Sequence, residues 1–191
     1  MTDLDTPQNK FNYDYINNFV NHLDTYYSEL MSINWERRGD APRYEYYCND
    51  HDVLYTYGRG AGERTYYRQA YPHCVLSIRQ QLEAKYNTTF DVCFLNRYDT
   101  SRDWLGWHAD DSPEMDNDAP IITVSLGAER NIEFRHNETQ EKQAIHLTNG
   151  SMLAMLPGFQ TTSMHRIPKV GHEIGPRISL TYRKYKFNEN I

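Results

Sequence analysis

The chain has 191 residues, 39% of them hydrophobic and 24% charged, with a formal net charge of −6. That size fits one domain, and no stretch approaches the roughly 18 consecutive apolar residues of a membrane span. The three cysteines, Cys48, Cys74 and Cys93, are odd in number and widely spaced, which excludes a disulfide scaffold and a CxxC metal clip. The opening MTDLDTPQNKF has neither a basic n-region nor an apolar h-region, so the expected setting is cytoplasmic or intracellular, or nuclear in a eukaryote. The acidic balance argues against a non-specific binder of phosphate backbones. Cations nevertheless gather locally, at Arg59, Arg64 and Arg68 and again along 166–186.

In chain order, residues 13–31 place Ile16, Phe19, Val20, Leu23, Tyr27 and Leu30 at helical spacing and predict an amphipathic helix. Residues 35–71, rich in Gly, Asp, Asn and Tyr, predict short extended pieces joined by turns, with Gly58, Gly60 and Gly62 in a bending loop. Residues 72–86 open on Pro72 and carry Val75, Ile78, Leu82 and Tyr86, a second helix. From about residue 90 the texture becomes short strands: DVCFLNRY, PIITVSL, NIEFRH, QAIHLT, SMLAML and RISLTYRKY, separated by Gly, Pro, Asn or Asp. That rhythm argues for an antiparallel sandwich or barrel rather than βαβ units. The expectation is one α+β domain over 1–191, with helices and a substrate-lid region in 1–90 and a β core in 91–186.

His108 and Asp110 stand at i and i+2 in WLGWHADD, so on a strand they project from one face. His165, 57 residues later, is the candidate third ligand. Two imidazoles and a carboxylate on one face of an octahedral ion leave positions open, which suits a non-haem Fe(II) oxygenase. In RISLTYR, Arg177 and Arg183 share a face with Ser179 and Thr181 between them. Two inward guanidiniums in a β core need anionic partners, and a metal-chelating dicarboxylic acid is one. Asn96 and Tyr98 repeat the alternation and offer neutral donors.

The residues resemble the AlkB-like Fe(II)/2-oxoglutarate-dependent dioxygenases, in the branch acting on alkylated nucleic-acid bases. The resemblance runs through Pro42-Arg43, YTYG at 55–58, NRY at 96–98, GWHADD at 106–111, PIITVSLGAERNIEFRH at 120–136, GSMLAM at 150–155, His165 and PRISLTYR at 176–183. It implies a double-stranded β-helix (jelly-roll) core with the N-terminal helices packed on it. It also implies Fe(II) on His108, Asp110 and His165, with O2 and 2-oxoglutarate as co-substrates. Asn96, Tyr98, Arg177 and Arg183 would hold 2-oxoglutarate, Arg177 taking its distal carboxylate. Asp111 matches the acidic residue that meets the flipped base, and Tyr55 and Tyr57 match the lid, with Trp107 and Arg59 beside them as further substrate contacts. The implied activity is oxidative removal of N-methyl or other N-alkyl groups from DNA or RNA bases, single strands favoured, by a monomer with no membrane partner, releasing formaldehyde, succinate and CO2. Ser112 departs from the pattern, standing where repair enzymes often carry a third acidic residue, and residues 43–54 match no duplex-probing loop. The other reading keeps iron and co-substrate but takes a protein side chain or small metabolite as substrate.

Overall fold

A computed structural model describes residues 11–39, 41–52, 54–57 and 64–186. The elements run β1 (Tyr13–Ile16), α1 (Leu23–Met31), β2 (Tyr44–Asn49), β3 (Tyr55–Tyr57), β4 (Arg64–Tyr66), α2 (His73–Tyr86), β5 (Val92–Tyr98) and β6 (Leu105–His108). They continue with β7 (Ile121–Gly127), β8 (Arg130–His136), β9 (Lys142–Leu147), β10 (Met152–Met155), α3 (Phe159–Thr162), β11 (Ser163–Ile167) and β12 (Arg177–Arg183). The strands form a six-stranded sheet in the order β1-β10-β7-β12-β5-β2, a four-stranded sheet in the order β6-β11-β8-β9, and the β3-β4 hairpin. Among the described residues every strand pair is antiparallel. Mostly antiparallel sheets with few helices are consistent with a jelly-roll.

Alternation along the central strands sorts the side chains. On one face Ile178, Leu180 and Tyr182 of β12 join Ile122, Val124 and Leu126 of β7 and Cys93 and Leu95 of β5. Leu30 of α1 and Val75, Ile78 and Leu82 of α2 belong to the same buried cluster. Each such aliphatic side chain contributes roughly 1.5–3 kcal/mol on burial. The opposite face is partly polar: Thr123, Ser125, Asn96, Ser179, Thr181, Arg177 and Arg183 are all buried. At its β1-β10 end the sheet meets a second apolar cluster, in which Leu153 and Met155 join Ile132 and Phe134 of the smaller sheet. A buried polar strip between two apolar clusters costs stability unless it is satisfied, which marks it as the place for a functional site.

The predicted helix over 13–31 is corrected: its first part is β1, paired with β10, and only Leu23–Met31 is helical. Asn18 and His22 adopt left-handed φ of 52° and 62°. The Phe19 and Val20 amides donate to the Gly150 carbonyl at 2.9 and 3.0 Å rather than to a preceding turn. The edge of the sheet outcompeted the helical spacing. The second helix and all six strand runs from residue 90 onward fall where the sequence puts them.

Candidate active site

Antiparallel pairing of β6 and β11 sets His165 directly opposite His108, and their ring centroids lie 4.1 Å apart. Asp110 follows β6 by two residues and is 1% exposed. Its Oδ1 lies 3.7 Å from His108 Nε2, and its Oδ2 lies 3.8 Å from His165 Nε2. All three ligand atoms fall within 4.8 Å of one another, the only such group among the described residues. Two donors each about 2.1 Å from one ion sit no more than about 4.2 Å apart, so a small inward adjustment of the widest pair closes the set on a metal.

Protonation suits that purpose. Burial lowers His108 below its ordinary value, and burial together with neighbouring His108 pulls His165 down to about 3. Burial acts to raise Asp110, but the Arg183 guanidinium and the two imidazoles outweigh it and hold the carboxyl below the usual range. Neutral imidazoles beside an ionised carboxylate are the forms that bind metal. His108 Nδ1 is 2.8 Å from the Gly106 carbonyl, which fixes its proton there and leaves Nε2 as the ligand atom.

Two further contacts hold Asp110. Arg183 Nη2 donates to Oδ1 at 2.8 Å, and the Asp110 backbone amide donates to Gln160 Oε1 at 2.9 Å. Asp110 Oδ2 accepts no hydrogen bond from any described residue although it is buried. Beside the cluster a cavity is lined by Arg43, Tyr55, Asn96, Leu105, His108 and Arg183, among others. Tyr98 and Arg177 do not line it. They face each other in the β5-β12 register, next to the Asn96–Ser179 pair, and are 1% and 0% exposed. Arg177 Nη2 donates to Ser125 Oγ at 2.8 Å and the Tyr98 side chain acts on the guanidinium, while Nε and Nη1 make no hydrogen bond of good geometry to a described residue. Burial lowers this guanidinium to about 10. Unpaired N–H groups on a buried cation are costly, and a carboxylate arriving from outside would satisfy them. The donor set therefore fits a metal chelated by a dicarboxylate.

The substrate-side residues fare differently. Tyr55 is not an open lid. It is 2% exposed, stacks on Tyr47 at 5.5 Å, and its hydroxyl meets Ser112 Oγ at 3.0 Å and Arg183 Nη1 at 3.2 Å. Trp107 is not brought into the cavity, because as the neighbour of His108 on a strand it turns to the other face. Its ring lies under the guanidiniums of Arg135 and Arg166 at 4.7 and 4.6 Å. Asp111 is exposed. Tyr57 lies in β3, and its side chain, like Arg59, falls outside the described residues. Sequence reasoning missed Gln160, which carries no readable signal. It also missed Arg43 as a cavity residue, although Arg43 and Glu45 at i and i+2 beside a strand are a charged pair in an otherwise aromatic stretch.

Antiparallel sheets enclosing a largely buried His–Asp–His group, with a strand of paired arginines alongside, fit a non-haem iron oxygenase of the kind that takes a keto-diacid co-substrate. Comparison with known proteins agrees: residues 23–183 match the model of the 2OG-Fe(II) oxygenase superfamily. The chain belongs to that superfamily, and its His–Asp–His group fits the iron that the superfamily's description names. It is 36% identical over 104 residues to the mouse (Mus musculus) protein named DNA oxidative demethylase ALKBH2, which covers 50% of this chain and 44% of that one. It is 31% identical over 144 residues to the Bos taurus alpha-ketoglutarate-dependent dioxygenase alkB homolog 3, covering 69% and 48%. The chain thus spans about half the length of the relatives it matches. A solved structure described as OsALKBH1 shares the fold, with a TM-score of 0.66 at 16% identity over 93% of this chain and 100% of that one.

Proposed function

We propose that this protein oxidatively removes N-alkyl groups from nucleic-acid bases. The observation that carries the reading is the His108–Asp110–His165 group, opening on a cavity within one buried polar strip that also holds Asn96, Arg177 and Arg183. The name of the mouse relative, a DNA oxidative demethylase, supports the choice of substrate.

His108, Asp110 and His165 would hold the iron. Bound there, Fe(II) and 2-oxoglutarate would supply the oxidant, with one O2 consumed, 2-oxoglutarate converted to succinate and CO2, and the second oxygen atom inserted into a C–H bond of the N-alkyl group. For an N-methyl base the N–C bond of the resulting hydroxymethyl group would break to release formaldehyde, its hydroxyl proton passing to the ring nitrogen or, from a cationic base, to water. The chain's own residues bind and orient. Arg177, with Tyr98 packed against it at 5.4 Å, would take the distal carboxylate. Arg183 holds the ligating carboxylate of Asp110 through Oδ1 and is itself steadied by the Tyr55 hydroxyl. Tyr47, Tyr55, Tyr66 and Phe94 belong to one buried cluster that keeps water from that side of the cavity. Asp111, exposed next to the ligand, would meet the extruded base. A base must leave its stack to reach a cavity of this kind, which favours a single strand as the target.

The formal charge of −6 favours one competing substrate class, a protein side chain or small metabolite. The deciding experiment incubates methylated oligonucleotides with the protein, Fe(II), 2-oxoglutarate and ascorbate, and weighs the products. Loss of methyl mass with matching formaldehyde and succinate is expected, and it should vanish in His108→Ala. Succinate formed with no response to any methylated oligonucleotide would move the assignment to the competing class.

A further inference from the structure

We propose that Arg43 is a positioning residue for the co-substrate: held by Glu45, it sets the Asn96 carboxamide with its oxygen on the guanidinium and its NH2 toward the cavity. This rests on the assignment of Asn96 as a 2-oxoglutarate contact.

The geometry is specific. Arg43 is 7% exposed, and its two kinds of nitrogen are divided between two partners. Nε donates to Asn96 Oδ1 at 2.7 Å, and Nη2 lies 2.7 Å from Glu45 Oε1. Antiparallel pairing of β2 with β5 places Glu45 directly opposite Asn96, so one register fixes all three side chains. Glu45, 2% exposed, also accepts from the Tyr66 hydroxyl at 3.0 Å and from Arg64 Nη1 at 3.1 Å. The carboxylate is thereby tied to β4 and cannot follow Arg43 elsewhere.

A carboxamide has an acceptor end and a donor end that are nearly the same shape. Against a guanidinium, which only donates, one orientation is excluded: the flipped amide would set NH2 against Nε–H. Arg43 therefore selects the orientation in which Nδ2 is released. That nitrogen donates to no described residue, and Asn96 lines the cavity together with His108 and Asp110. The released donor is what a carboxylate requires, and the rejected orientation would present it with a repelling oxygen. Glu45 has a second effect. An arginine without it would be drawn to Asp110, the carboxylate that lines the same cavity as Arg43, and would compete with the metal for it.

The test is equilibrium binding of 2-oxoglutarate to Mn(II)-loaded protein by calorimetry, which involves no turnover. Arg43→Met should weaken binding about tenfold, the order expected for one charge-assisted hydrogen bond. In the Asn96→Ala background the same substitution should cost nothing further, because a residue acting through Asn96 is silent without it. Arg43→Lys keeps a charge for Glu45 but cannot span both acceptors, so it should fold and still lose affinity if Arg43→Met does not fold. Unchanged binding in the folded variant, or losses that add in the double variant, would overturn the positioning role alone. Failure of the wild-type protein itself to bind 2-oxoglutarate would instead overturn the assignment on which it rests.

Discussion

Converting Asp110 to asparagine separates the two roles of that carboxylate. Its volume is retained, but the Arg183 side chain, 9% exposed, loses the counter-charge 2.8 Å away. Removing one partner of a buried pair costs about 3–5 kcal/mol. The asparagine oxygen and the Tyr55 hydroxyl still accept from Arg183, so the low end, about 3 kcal/mol, applies. In a chain of this length each kcal/mol moves the melting point by about 2–4 °C, giving a fall of roughly 6–12 °C in metal-free protein. Metal then acts in the opposite direction. At a free concentration about 100 times its Kd a ligand stabilises by about 2.7 kcal/mol, a rise of roughly 5–11 °C for the wild type and none for the variant. Differential scanning fluorimetry of chelator-stripped protein, with and without Mn(II), reads both numbers. His108→Ala provides the contrast: it removes a ligand without stranding a charge, so it should lose the Mn(II) response while staying within about 1 kcal/mol of wild type without metal. Metal-free Asp110→Asn melting with the wild type, or keeping its full Mn(II) response, would refute the reasoning.

Arg177→Met should leave metal-free stability unchanged or raised, since it removes a buried cation with two unpaired nitrogens, yet abolish 2-oxoglutarate binding by calorimetry. Glu45→Gln should lose about 2–3 kcal/mol in urea denaturation, because Arg43 is left buried without its carboxylate; limited proteolysis should also cut faster near the β3-β4 hairpin. Gly127→Ala should destabilise by at least about 2 kcal/mol: φ is +86°, and the new Cβ would meet the Pro176 carbonyl at 2.5 Å and the Tyr27 ring at 2.6 Å. Cys48, Cys74 and Cys93 are buried, and burial pushes each thiol upward. Ellman's reagent should therefore find no reactive thiol in native protein at pH 8 and all three in denaturant.

Much of the site was legible because strand alternation is local. The i, i+2 spacing of His108 and Asp110, and the six-residue interval of Arg177 and Arg183, convert directly into shared faces. That His165 would stand opposite His108 was not legible, since the pairing joins strands 57 residues apart. Tyr13–Ile16 failed for a related reason: helical spacing is a local signal, and β10 offered those residues a sheet edge that the spacing cannot register. Trp107 shows the opposite error. Its place beside a ligand suggested the pocket, while alternation, applied consistently, sends it to the Arg135 and Arg166 side. The Arg43–Glu45–Asn96 contacts depend on β2 lying beside β5, a global fact.

β12 is hydrogen-bonded on both flanks, to β7 and to β5, and every one of its seven residues is buried. Its two arginines therefore ride on the strand least able to open without the whole molecule opening. Amide exchange along Arg177–Arg183 should proceed only through global unfolding. Heat should then take away co-substrate binding and the tertiary signal in a single step, with no softened intermediate that keeps its shape while its ligand drifts out.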